Sequence, residues 1–187
     1  MHSSAHYRQL LARLPQIAVA ADQFQVLNSA KDFKNRILSL IAGATQRIYL
    51  IALYLQDDEA GREILSALYA AKQRNPALDI KVFVDFHRAQ RGLIGKGKQG
   101  GNHLMYQAMA ARHEHQIEIY GVPVKGRELL GVLHLKGFIF DDILLYSGAS
   151  LNDIYLHQQE RYRFDRYHQI HSQALTRSMV NYVDDVF

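Results

Sequence analysis

A chain of 187 residues, 48% hydrophobic and 21% charged with a mean hydropathy of −0.20, has the composition of one globular domain with a real apolar core. Its formal charge of +4 and pI near 9.3 favour anionic partners (phosphates, nucleic acid or acidic lipid surfaces) without choosing among them. With no cysteine, disulfide frameworks, thiolate metal sites and a cysteine nucleophile are excluded.

The opening MHSSAHYRQLLARLPQIAVAADQ lacks the apolar core and cleavage site of a signal peptide. The longest apolar stretch, around residues 48–55, is too short to span a bilayer, so membrane contact is expected to be peripheral. Residues 6–14 read as an amphipathic helix with Leu10, Leu11 and Leu14 on one side, stopped by Pro15 and expected to pack on its own domain. Its Arg8 and Arg13 also suit acidic lipids. Ser29 can cap a helix bearing Phe33, Ile37, Leu40 and Ile41, with Gly43 as its stop. Residues 47–56 then read as a buried strand.

Asp57 and Asp58 favour a helix start, and residues 60–74 present Ile64, Leu65, Leu68 and Ala71 before Asn75-Pro76 ends the pattern. A second buried strand at 80–86 completes a right-handed parallel crossover. A basic glycine-rich loop at 91–101, a helix at 102–112, strands near 117–122, 130–140, 143–147 and 165–170, and a helix at 172–185 follow. The fold class expected is α/β: a mixed, mostly parallel sheet with helices on both faces. Residues 1–25 would be a helical appendage and 26–187 the domain.

The informative stretch is GVLHLKGFIFDDILLYSGASLND, residues 131–153. Alternation along a strand sends His134 and Lys136 to one side and Leu133 and Leu135 to the other. An imidazole near its pKa can attack phosphorus or shuttle a proton, and a neighbouring ammonium neutralises the non-bridging oxygens. Carboxylates nearby fix the imidazole tautomer and favour its charged form. A histidine taken singly is more often a structural residue than a catalyst, and Asp141-Asp142 alone would be a turn. Asp85, His87, Arg88 and Arg91 follow a buried strand at the edge where open α/β sheets bind ligands, and the arginines suit a pyrophosphate; a solvated loop is the competing reading. GLIGKGKQGG lacks the Walker pattern and reads as a loop. RYRFDRYH either stacks bases or forms an alternating strand with Tyr162 and Phe164 toward the core, and His157 either approaches the site or lies on the surface.

The H-x-K-x-x-x-x-D pattern of His134, Lys136 and Asp141, extended by Gly148 and Asn152, resembles the phospholipase D superfamily signature, with Ala149 where a serine is usual. The phrases IALYLQDDEAG, VDFHRAQRG, YGVP, LGVLHLKGFIFDD, SGASLNDIYLH and RYRFDRYH are similar to the phosphatidylserine synthases of Gram-negative bacteria. The resemblance implies transfer of the phosphatidyl group of CDP-diacylglycerol to L-serine, releasing CMP, through a phosphatidyl-histidine. It makes His134 the nucleophile or its partner, lets Lys136 and Asn152 hold phosphate oxygens beside Gly148, and places Asp141 in the histidine-orienting network. Asp165 would hydrogen-bond the catalytic histidine, or else be a strand-end surface carboxylate. No metal or cofactor is implied, and nucleic acid is not expected as a partner. Localisation would be cytoplasmic, at the surface of the inner membrane, against acidic phospholipid.

Such chemistry needs two histidines, and this sequence carries one signature. The expectation is therefore a fragment, inactive alone, whose second phospholipase D-like half lies in the same longer chain. The alternatives are a homodimeric phosphodiesterase or nuclease, in which a mate supplies the second histidine, and a non-catalytic phosphate-binding half-domain.

Overall fold

The apolar run at Arg47–Ile51 forms β2, and the rest of the sheet assembles around it. The computed structural model describes residues 4–91, 100–124 and 132–187; the side chains of Ala5 and Arg91 lie outside that description. In chain order the elements are α1 (Ser4–Leu11), β1 (Phe24–Leu27), α2 (Ala30–Gly43), β2, α3 (Glu59–Arg74), β3 (Asp79–Asp85), α4 (Phe86–Arg91), α5 (His103–Ala110), β4 (Glu118–Val122), β5 (Gly137–Phe140), β6 (Ile143–Ser147), β7 (Tyr167–His171) and α6 (Gln173–Val186). The strands form one seven-stranded sheet in the order β1-β7-β6-β5-β2-β3-β4.

The crossover β2–α3–β3 is parallel, as its spacing requires, and β4 continues the parallel part. The other four pairings are antiparallel, so the expectation that parallel pairing dominates is corrected. The reason lies in the connections. β5 and β6 are joined by the two-residue Asp141-Asp142 turn, which only an antiparallel pair allows. Strand alternation sorts the core into two layers. Ile48, Leu50, Ile80, Val82, Val84, Phe138 and Phe140 face α2 and α3, whereas Tyr49, Ile51, Phe83, Ile139 and Leu144 face α6 through Val180 and Val183. Helices thus cover both faces.

Caps define the helix starts. The Ser29 side chain accepts from Asp32 N, Asp58 from Gly61 N and Ser172 from Leu175 N. The predicted packing of the first helix is not found: Leu10, Leu11 and Leu14 remain 45%, 59% and 59% exposed. Strand β1 was invisible to the pattern because its side chains are largely exposed; it joins the sheet at Phe24 through ladder bonds to β7. Within RYRFDRYH only the last two residues enter a strand, and Tyr162 and Phe164 are 46% and 68% exposed, which overturns their predicted inward orientation. Residues 92–99 of the glycine-rich loop, and 130–131 of the predicted strand before β5, lie outside the described residues.

Candidate active site at one end of the sheet

Gly137, the first residue of β5, is paired with Ile51, the last residue of β2, so residues 132–136 run past the sheet end. Leu133 is 5% exposed and packs into the α6-side core with Leu135. His134 is exposed, and Leu135 and Lys136 are both half-buried. The Lys136 Nζ lies 3.4 Å from the His134 carbonyl oxygen. Burial lowers the Lys136 pKa from the usual lysine value, with Asp165 acting against that shift. Among the described residues the His134 ring makes no hydrogen bond, ion pair or ring contact.

Two further segments reach this end. β6 finishes at Ser147, opposite Tyr167 at the start of β7, which brings Gly148 beside Asp165. The approach is so close that a Cβ on Gly148 would lie 2.8 Å from the Asp165 Oδ2. Asp165 Oδ1 accepts from Arg166 N at 2.6 Å, and Asp165 N donates to the Tyr167 hydroxyl at 3.2 Å. Asn152, 6% exposed, donates from Nδ2 to the Tyr54 hydroxyl at 3.1 Å and accepts from Tyr155 N at 2.9 Å on Oδ1. Burial raises the Tyr54 phenol, while the Ser150 hydroxyl and the charges of Arg88 and Arg163 work in the opposite direction.

The third segment is the corner after β3. Asp85 is fully buried; its Oδ1 accepts from Arg88 N and its Oδ2 from Leu133 N, both at 2.9 Å. Arg88 is half-buried, and His87 is exposed with its ring edge-on to Phe86 at 5.4 Å. Arg91 closes α4, and its side chain lies outside the described residues. His157, with a φ of 52°, stacks on Tyr162 at 3.8 Å.

Asp141 is the site residue that the structure separates from the others. It follows β5 at the opposite end, five residues from Lys136, or about 16 Å along a strand. Its carboxylate accepts from Thr45 N and Thr45 Oγ1 at 2.9 and 3.1 Å, Gln46 N at 2.8 Å and Arg47 N at 2.9 Å. Burial disfavours the charged form, but the three backbone N–H groups and the Thr45 hydroxyl outweigh it and lower the pKa. The histidine-orienting role implied for Asp141 is therefore replaced by a structural one, anchoring the β5–β6 turn to the start of β2.

Tyr54 escaped the sequence reading, where it was only part of a buried strand. Asp85 was read as a candidate at the ligand-binding edge, but its bond to Leu133 was not foreseen. A carboxylate ending an apolar strand was the available signal for Asp85; nothing in the sequence pointed to the Tyr54 hydroxyl. Among the described residues no group of three or more His, Asp or Glu is placed to hold a metal ion.

This architecture, with an H-x-K pair at the sheet end, defines the class: the chain belongs to the phospholipase D-like family, whose model "Cardiolipin synthase, PLD-like domain" matches residues 37–176. Within that family it is 50% identical over 182 residues to the CDP-diacylglycerol–serine O-phosphatidyltransferase of Haemophilus influenzae and 48% identical over 178 residues to that of Escherichia coli. Each match covers 95% of this chain and 40% of the relative, so the chain spans about two-fifths of their length. The crystal structure of the Haemophilus influenzae phosphatidylserine synthase superposes with a TM-score of 0.91 at 46% identity, over 99% of this chain and 41% of that one. Nuc of Salmonella typhimurium, a phospholipase D family member, shares the fold at a TM-score of 0.60 and 18% identity, over 87% of this chain and 91% of that one.

Proposed function

We propose that this chain supplies one half-site of a phosphatidyltransferase that moves the phosphatidyl group of CDP-diacylglycerol to L-serine. The observation that carries the reading is the shared exit of His134 and Lys136 from one sheet end, beside Asn152, Asp165 and Arg88, in a chain half-identical to two such transferases.

In this reading an imidazole nitrogen of His134 attacks the phosphatidyl phosphorus; the N–P bond forms as the P–O bond to CMP breaks. A second imidazole, from another segment or a second copy of the chain, protonates the departing CMP. It then takes the proton of the serine hydroxyl as that oxygen displaces His134. Lys136 neutralises the non-bridging oxygens, and Asn152 adds the N–H it does not give to Tyr54. Asp165 orients an imidazole across the Gly148 gap, and Arg88, with His87 and Arg91, receives the nucleotide phosphate. This reading calls for no metal or cofactor. No helix among the described residues is long and apolar enough to cross a membrane. Peripheral contact with acidic phospholipid at the inner membrane is part of the proposal, supported by the exposed Leu10, Leu11 and Leu14 of the first segment beside Arg8 and Arg13. So is the treatment of residues 26–187 as one phospholipase D-like unit behind an appendage at 1–25.

The test uses labelled CDP-diacylglycerol in detergent micelles with L-serine, scored for CMP, phosphatidylserine and an acid-labile phosphatidyl adduct, alongside equilibrium binding. Wild-type chain should bind the lipid, and Lys136→Ala should weaken binding at least about tenfold. Any adduct or turnover should vanish in His134→Asn. Failure to bind CDP-diacylglycerol, or turnover that survives His134→Asn, refutes the proposal.

A further inference from the structure

Residues 132–136 carry the proposed nucleophile and the phosphate-binding lysine, yet they lie outside the strand ladder. Among the described residues no hydrogen bond is made by the backbone N–H of His134, Leu135 or Lys136. Among the described residues the segment is held by the packing of Leu133 and Leu135 and by one backbone N–H bond, from Leu133 N to Asp85 Oδ2. A fully buried carboxylate persists only where its oxygens find donors, and both oxygens of Asp85 do. Its own N–H donates to the Leu53 carbonyl at 3.1 Å, beside Tyr54. One residue therefore ties together the exit of β2, the start of α4 with Arg88, and the His134 segment.

We infer that Asp85 is a positioning residue for His134, acting through the Leu133 amide, and that it couples the Arg88 corner to the nucleophile. The Oδ1–Arg88 N bond alone would be an ordinary helix cap. The bond from Oδ2 goes instead to the residue before His134, across 48 positions of sequence, and has no capping purpose. Release of that bond leaves only apolar packing, by Leu133 and Leu135, on either side of the reacting imidazole. Misplacement of about 1 Å at a reacting group costs on the order of 10²-fold in rate.

The rate arm of the test rests on the function proposed above; the exchange arm does not. In wild-type protein the Leu133 amide should exchange slowly with deuterium, while its neighbours His134, Leu135 and Lys136 exchange fast. Asp85→Ala removes both acceptor oxygens, so neither the Arg88 nor the Leu133 N–H keeps its partner. Exchange at Leu133 should rise at least about tenfold, with Ile48 and Val82 unchanged. Any adduct formation or turnover should slow on the order of 10²-fold while CDP-diacylglycerol binding moves less than roughly threefold. Fast exchange at Leu133 in the wild type overturns the inference, and this reading holds even where the variant fails to fold. Unchanged protection in a folded Asp85→Ala also overturns it. Lost protection in a chain that shows no lipid binding or turnover supports the clamp and removes the proposed function instead.

Discussion

Replacing Asp141 by alanine separates structure from chemistry in this signature. The carboxylate accepts four hydrogen bonds from Thr45, Gln46 and Arg47. At a net value of about 1 kcal/mol each, discounted because water reaches part of this half-buried turn, their loss costs about 2–3 kcal/mol. Asp141 also has a φ of 52°, a left-handed conformation in which alanine pays about 1 kcal/mol more and asparagine little. Asp141→Ala should therefore lose about 3–4 kcal/mol, lowering Tm by roughly 6–16 °C for a chain of this size. Asp141→Asn keeps one accepting oxygen and the turn, and should lose about half as much. The pH dependence has a definite sign. A carboxyl whose folded pKa is lowered contributes stability above the unfolded value of about 3.9, and loses it as the pH falls through the folded value. The Tm gap between wild type and Asp141→Ala should thus stay constant from pH 7 to about pH 5 and close in more acidic solution. Calorimetry across pH, paired with CDP-diacylglycerol binding or turnover per folded molecule, makes the measurement. Unchanged Tm with abolished binding or turnover would return Asp141 to the histidine network and refute the reasoning.

Three further outcomes are expected. Asp58, capping α3 and accepting from Asp153 N, has its pKa raised to about 6 by burial. A raised carboxyl makes the fold bind its proton more tightly, so stability should fall as the pH rises from about 4 through about 6, and Asp58→Asn should remove that slope in denaturant titrations. Gly148→Ala brings a methyl against the mobile end of Asp165, so the fold should stand within about 0.5 kcal/mol. Pushing Asp165 away removes the charge that supports protonated Lys136, and alkaline loss of CDP-diacylglycerol binding should move to lower pH. Tyr54→Phe strips the buried Asn152 amide of its acceptor and should cost about 1–2 kcal/mol, read as a Tm fall of roughly 2–8 °C.

Much of the framework was legible because it is local. Ser29 announced its helix as a cap and Asp57-Asp58 as an acidic helix start, and the apolar run read at 47–56 announced β2, which ends at Ile51. The expectation that His134 and Lys136 share a side rests on a period of two, a property of neighbours. What escaped was non-local or weakly amphipathic. β1 has no buried face to betray it, and Tyr162 and Phe164 looked like core residues because their alternation with arginines imitates a strand.

By itself, then, the sequence determined the helix and strand periods, the parallel crossover, the H-x-K pair and the family to which it points, since each depends on residues within one or two elements. Only the tertiary structure decided which of those residues meet. It carried Asp141 to the far end of β5 against Thr45, and brought Gly148 to Asp165, Asn152 to Tyr54 and Asp85 to Leu133. Spacing along a chain reports the direction of a side chain, whereas its partner depends on how distant strands are ordered in the sheet.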